Sequence, residues 1–116
     1  MDKTLTSSEL NQFSGTENWY RHWLGILYTD GVKYLAEKAN AYWLIDAVAS
    51  YQNGLKDVPF QSWTLTVKED HSAVLQMQED SDVPAKIEQF IEYSDFPLDH
   101  IRLYFIDGVL LLPSEY

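Results

Sequence analysis

The apolar residues of this chain change their spacing part-way along, and that change limits the folds open to it. Between residues 30 and 51 they recur every three or four positions, the repeat of a helix with one buried stripe. From residue 63 onward they recur at every second position, the repeat of a strand with one wet face. A chain patterned in this way is expected to be an α+β domain, with helices mainly in the N-terminal half packed on one face of a sheet built from the C-terminal half.

The helical half divides further. Thr6-Ser7-Ser8-Glu9 fits a capping box, in which the Thr6 hydroxyl and the Glu9 carboxylate each satisfy a free backbone N–H, and it predicts a short helix at about 7 to 13 that Gly15 stops. An extended aromatic segment, Asn18-Trp19-Tyr20-Arg21-His22-Trp23, follows as an edge strand or an irregular packed loop. Asp30 stands where an N-cap is needed, before Val32, Leu35, Ala36 and Ala39 at i, i+3, i+4 and i+7. After Asn40 a second run, Ala41 to Tyr51, sets Ala41, Leu44, Ile45 and Val48 on one face and Trp43 and Ala47 on another. It is expected at the buried centre of the fold, with Asn53-Gly54 closing it.

In the second half, Trp63, Leu65 and Val67 alternate with Thr64, Thr66 and Lys68. Beyond Glu69-Asp70-His71, Ala73, Leu75 and Met77 alternate with Val74, Gln76 and Gln78. Pairing Lys68 with Ser72 sets Val67, Leu65 and Trp63 opposite Ala73, Leu75 and Met77, so the loop should be three residues; a slip of one would put Leu65 against a glutamine. Asp107-Gly108 between Ile101–Ile106 and Val109–Leu112 is the strongest short hairpin signal, because a type I′ turn needs positive φ at both central positions. Both faces of that hairpin are apolar, which predicts a central place in the sheet or a face that meets another subunit. Residues 84 to 94 fit a helix begun at Pro84 or a strand through Gln89, Ile91 and Tyr93; the antiparallel neighbours favour strand. The expected sheet is therefore antiparallel, with four or five strands, in a single domain spanning residues 1–116.

Composition narrows function by exclusion. With no cysteine, the chain has no thiolate nucleophile, disulfide or cysteine-held metal, which suits a reducing, cytoplasmic setting. The opening Met1-Asp2-Lys3-Thr4-Leu5-Thr6-Ser7 lacks a basic stretch followed by an apolar one, and no apolar run nears the roughly 18 residues of a membrane span. Of 18 acidic residues, 11 lie in residues 59–116 beside only 3 basic ones, so that half carries −8 of the net −10. Lys68, Lys86 and Arg102 stand alone there, which argues against direct contact with a nucleic-acid backbone. An acidic surface serves solubility and also suits a basic protein partner.

No nucleotide-binding glycine pattern is present, since the closest of Gly15, Gly25, Gly31, Gly54 and Gly108 lie six apart. His22, His71 and His100 are too widely spaced for a helical metal pair, and neither a metal nor a cofactor is expected. His71 falls in the expected hairpin loop, where histidine tolerates positive φ, and should be exposed. Trp19, Tyr20, Arg21 and His22, with Trp43, could form an aromatic pocket with a basic handle for a planar or anionic ligand, or could simply be packed. Asp46, in an apolar helix, is the carboxylate to watch: it either reaches solvent or pairs with Arg21, or joins His22 or Arg21 in a small acid–base site. Glu79, Asp80, Asp82, Glu88, Glu92, Asp95 and Asp99 form an acidic run around Lys86. Such a run is ordinarily a solvated face; carboxylates spaced along strands can also imitate a phosphate backbone and occupy the basic groove of a DNA-binding protein.

Several phrases carry a resemblance: Phe13-Ser14-Gly15-Thr16-Glu17, Trp19-Tyr20-Arg21-His22, Tyr28-Thr29-Asp30-Gly31-Val32, Ala41-Tyr42-Trp43-Leu44-Ile45-Asp46, Asp95-Phe96-Pro97-Leu98 and Leu111-Leu112-Pro113-Ser114-Glu115-Tyr116. Together they resemble an uncharacterised family of small acidic bacterial proteins, a domain of unknown function with members in cyanobacteria and on mobile elements. The resemblance implies a complete domain and an accessory or inhibitory role, and supplies no activity. The expectation is a non-enzymatic accessory protein, monomer or homodimer, that binds a macromolecule through its acidic surface. The alternative is a small-molecule-binding protein or small enzyme using a pocket around Trp19, His22, Trp43 and Asp46.

Overall fold

A computed structural model describes residues 5–15, 17–80 and 82–116. Residues 1–4 of the opening read for a leader, together with Thr16 and Ser81, lie outside it. The helices are α1 (Ser7–Asn11), α2 (Asp30–Ala39) and α3 (Tyr42–Tyr51), and the strands are β1 (Trp19–Arg21), β2 (Leu27–Thr29), β3 (Phe60–Val67), β4 (Ala73–Gln78), β5 (Ile87–Ile91), β6 (His100–Ile106) and β7 (Val109–Leu111). They form one seven-stranded sheet in the order β1-β2-β7-β6-β3-β4-β5.

This corrects the expected four- to five-stranded antiparallel sheet. Two further strands come from the N-terminal half, and β2 runs parallel to β7, with Leu27 beside Val109 and Tyr28 beside Leu110, so the sheet is mixed. The physical reason is length: β1 and β2 have three residues each, too few to display a period of two, and β2 is held by a partner some 80 residues away in sequence.

The hairpins follow side-chain alternation. Trp63 pairs with Met77, Leu65 with Leu75 and Val67 with Ala73 across β3 and β4. Lys68 N–H donates to the Ser72 carbonyl at 2.8 Å, and the three-residue loop places exposed His71 at φ 69°. Asp107 and Gly108 take φ 51° and 86°, as a type I′ turn requires. Residues 87–91 of the ambiguous stretch are strand β5, paired with β4 through Ala73–Ile91 and Met77–Ile87. β6 lies at the middle of the sheet, and the second apolar face of its hairpin is half-covered: the Tyr104 ring packs on Phe60 at 5.2 Å and on Tyr116 at 5.5 Å.

α2 and α3 cover one sheet face, where Val32, Leu35, Leu44, Ile45 and Val48 join Trp63, Leu65, Leu75, Met77, Leu103 and Leu110 in the core. Local chemistry sets the helix ends. In the capping box of α1, Glu9 N–H bonds Thr6 Oγ1 at 3.2 Å while Thr6 N–H bonds Glu9 Oε1 at 3.0 Å; the helix stops at Asn11, short of Gly15. α2 is capped by Thr29, whose hydroxyl oxygen accepts from Val32 N–H, and Asp30 is its first residue rather than its cap. Asn40 in the left-handed region ends α2. α3 is not buried all round: Leu44, Ile45, Val48 and Ala49 face the core, whereas Tyr42, Asp46 and Ser50 are exposed, and a tight 3-10 turn at Gln52–Gly54 extends it.

Candidate functional site

Arg21 and Leu27, the last register pair of β1 and β2, are joined by a loop in which His22 N–H donates to the Ile26 carbonyl at 2.8 Å and Gly25 N–H to the His22 carbonyl at 2.8 Å. Gly25 takes φ 102°, open only to glycine without strain. This turn folds the His22 side chain under it, buried, toward α3. Leu24 N–H donates to His22 Nδ1 at 3.0 Å, so Nδ1 carries no hydrogen; Nε2 carries it and donates to Asp46 Oδ1 at 2.6 Å.

The sequence pair His22 and Asp46 is thus brought together, but both ring nitrogens are committed. Neither has a lone pair left to take a substrate proton or bind a metal. Asp46, the exposed partner, needs no Arg21. The geometry fastens the β1–β2 loop to α3.

The other pocket candidates separate. Tyr20 lines a cleft of about 700 Å³ with Phe13, Tyr34, Asp30, Lys33 and Glu37. Its phenol donates to Asp30 Oδ1 at 2.8 Å, and Asn18 N–H donates to Asp30 Oδ2 at 3.2 Å. The Tyr20–Asp30 bond is the first cause of two opposed shifts, holding the Asp30 carboxyl below its ordinary range and the Tyr20 phenol above its own. Lys33 donates to Glu37 at 2.8 Å, which raises the Lys33 ammonium, and lies 5.3 Å from the centre of the Tyr20 ring. Asp30, Lys33 and Glu37 therefore each have a partner within this part of the fold.

Trp43 faces a different cavity, of about 320 Å³, with Ile91, Tyr93, Ser94 and Asp95. Trp19 and Arg21 are exposed on the short edge strand β1. No single pocket unites Trp19, Tyr20, Arg21, His22, Trp43 and Asp46 among the described residues; they fall into an edge, a cleft, a cavity and a hydrogen-bonded pair. Nor, among those residues, do three histidine or acidic side chains stand as a metal-holding group.

The acidic residues are all at the surface. Glu79, Asp80 and Asp82 lie between β4 and β5, Glu88 within β5, and Glu92, Asp95 and Asp99 between β5 and β6. Six of them lie in β5 or beside its two ends, while Asp99 stands immediately before β6, its carbonyl accepting from Val67 N–H of β3. Glu79 pairs with Lys86 at 3.1 Å, and Glu88 accepts from Gln76 Nε2 at 2.8 Å. Two residues that the sequence did not mark as part of a site stand among them, Phe90 and Tyr93, 73% and 68% exposed. The signal for Phe90 was there: in β5 it occupies the phase opposite to Ile87, Gln89 and Ile91, so a bulky ring had to face away from the helices.

No helix among the described residues is long and apolar enough to cross a membrane. No curated protein and no solved structure matches this chain. A model of a family of unknown function, DUF6876, matches residues 4–116, nearly the whole length, and the chain belongs to that family.

Proposed function

We propose that the protein is a non-enzymatic accessory factor that acts by binding a basic protein partner through the β5 end of its sheet. One observation carries this reading: six exposed carboxylates, Glu79, Asp80, Asp82, Glu88, Glu92 and Asp95, lie in β5 or in the segments at its two ends, against Lys86, which pairs with Glu79, and Lys68, whose ammonium lies 5.5 Å from the centre of the Phe90 ring, beside two exposed aromatic rings. Such a field steers a cationic partner to the surface and repels nucleic acid, and Phe90 and Tyr93 supply the apolar contact that charge alone lacks. The engaged nitrogens of His22 weigh against the enzymatic alternative, since they remove its proposed base.

A partner that itself binds nucleic acid would meet carboxylates where it expects phosphates, and the complex would then inhibit it. An inhibitory part of this kind accords with the resemblance to proteins of mobile elements. A chain without cysteine suits the reducing cytoplasm of a bacterial cell.

Affinity capture from a lysate of the source cell, eluted with rising salt, tests the reading. A stoichiometric basic protein released at moderate salt is expected, and its displacement by duplex DNA would identify phosphate mimicry. Recovery of the chain alone would overturn the proposal.

A further inference from the structure

β5 ends the sheet and pairs on one side only, with β4, so one row of its backbone N–H and C=O groups faces outward. Proteins commonly blunt such an edge with lysine, proline or a bulge; the five residues of β5, Ile87-Glu88-Gln89-Phe90-Ile91, include neither residue and none with positive φ. The opposite edge, β1, offers three residues that end in Arg21. Resting on the proposed function, we infer that β5 receives an extended segment of the partner bearing lysine or arginine at its ends, which adds to the sheet as an eighth strand.

Three features define that segment. Its backbone completes the ladder along β5, about 17 Å for five residues. Its ends meet a net negative charge, because Glu79, Asp80 and Asp82 outnumber Lys86 before β5, where Lys86 pairs with Glu79, and Glu92 and Asp95 follow it. Beyond the last residue of β5 the cavity lined by Trp43, Tyr93 and Asp95 provides two aromatic rings and a carboxylate, the surroundings that hold an ammonium or guanidinium group. A second copy of the chain fits poorly: antiparallel self-pairing of β5 would bring two such acidic ends together on molecules that each carry −10.

The test uses the whole chain, isotopically labelled, and three capped peptides. The first alternates threonine and valine between paired lysines, the second replaces its central valine with proline, and the third replaces its lysines with glutamates. The lysine peptide is expected to slow amide exchange in residues 87–91 and to bind more weakly as salt rises. Proline cannot donate the ladder bond and glutamate opposes the field, so both controls should bind at least about tenfold more weakly. Phe90→Ser, which removes the ring at a solvent-exposed position without changing the charge, should also weaken the first peptide, with unchanged thermal melting showing that the fold survives.

Equal binding of the proline peptide would overturn strand addition while leaving a basic partner in place. Failure of the lysine peptide to protect β5 would overturn it as well. Protection of β5 that grows with protein concentration in the absence of peptide would name a second copy as the occupant and overturn the basic segment. The lysate capture asks whether a basic partner exists and the peptides ask how it docks, so the two ideas fail separately.

Discussion

Gly31 and Glu115 meet so closely that α2 begins where the chain ends. Gly31 N–H donates to Glu115 Oε2 at 3.1 Å, while Glu115 Oε1 accepts from the Thr29 hydroxyl at 2.6 Å and from Leu112 N–H at 2.9 Å. The carboxylate thus satisfies a free N–H in the first turn of α2 at the positive end of the helix dipole. A Cβ on residue 31 would lie 2.6 Å from Leu112 Cδ1 and 2.7 Å from Glu115 Oε1.

Gly31→Ala should therefore destabilise the fold. The alanine methyl must displace a fully buried leucine and the Glu115 carboxylate together, an overpacking cost of roughly 1–3 kcal/mol that exceeds the gain in helix propensity. Glu115→Gln keeps the shape but turns an acceptor into a donor against N–H groups, and should cost about 2 kcal/mol. Urea midpoints read both; an unchanged midpoint for Gly31→Ala would mean that the C-terminal segment moves aside freely.

Stability should fall at both ends of the pH scale, and Tyr20 couples the two. Asp30 is held below its ordinary value first by the Tyr20 hydroxyl, so its contribution is present above the unfolded carboxylate value and is lost as pH falls through the lower folded one. Tyr20 is raised by the same bond, so its contribution is full below the ordinary tyrosine value of about 10 and is lost as pH climbs through the raised one. Tyr20→Phe should flatten both limbs of a plot of melting temperature against pH. Limbs as steep as those of the unsubstituted chain would place their origin elsewhere.

What could be read from the sequence was whatever repeats. The register of β3 on β4 follows from alternation and the Lys68–Ser72 closure, and the Asp107-Gly108 turn from backbone sterics alone. β1 was legible only as one of two readings, an edge strand or a packed loop, because three residues display no period, and β2 was hidden because a parallel pairing with β7 leaves no local trace. Thr29 and Asp30 are both competent caps, and the choice between them rests on where β2 delivers the chain. His22 and Asp46 could be singled out by type, but what they do depends on Leu24 N–H, which reaches Nδ1 only because Gly25 turns the loop back.

That loop provides a prediction about the His22–Asp46 hydrogen bond. With Nδ1 bound to Leu24 and Nε2 to Asp46, His22→Ala leaves a backbone N–H unpaired and opens a space beneath the loop, and should cost about 2–3 kcal/mol. Asp46→Asn keeps an oxygen for Nε2–H and should cost about 1 kcal/mol or less. Partner capture should survive Asp46→Asn unchanged. Loss of capture in a variant that melts normally would return the pair to the functional surface.

Gln61 shows how a polar residue can belong to the core. It occupies the inward phase of β3 with Trp63 and Leu65 and is fully buried. Its side chain exchanges two amide bonds with Gln52, Gln52 Nε2 to Gln61 Oε1 at 2.9 Å and Gln61 Nε2 to Gln52 Oε1 at 2.8 Å. It also donates to the Val58 carbonyl at 3.1 Å and accepts from Trp63 Nε1 at 2.8 Å. Every polar atom of the cluster has a partner, which is what makes it stable in a low-dielectric interior. Gln61→Leu, although apolar and similar in volume, strands the indole N–H and one face of the Gln52 amide. The expected loss is roughly 2–4 kcal/mol, more than burial of the leucine returns. Gln61→Glu should be worse at neutral pH, since it brings a charge into the core in place of a neutral amide, and should recover in part as the solution is acidified. Equilibrium unfolding of the two variants at two pH values decides the matter: a leucine variant as stable as the unsubstituted chain would show that packing, and not the hydrogen-bonded network, holds the turn after α3 against β3.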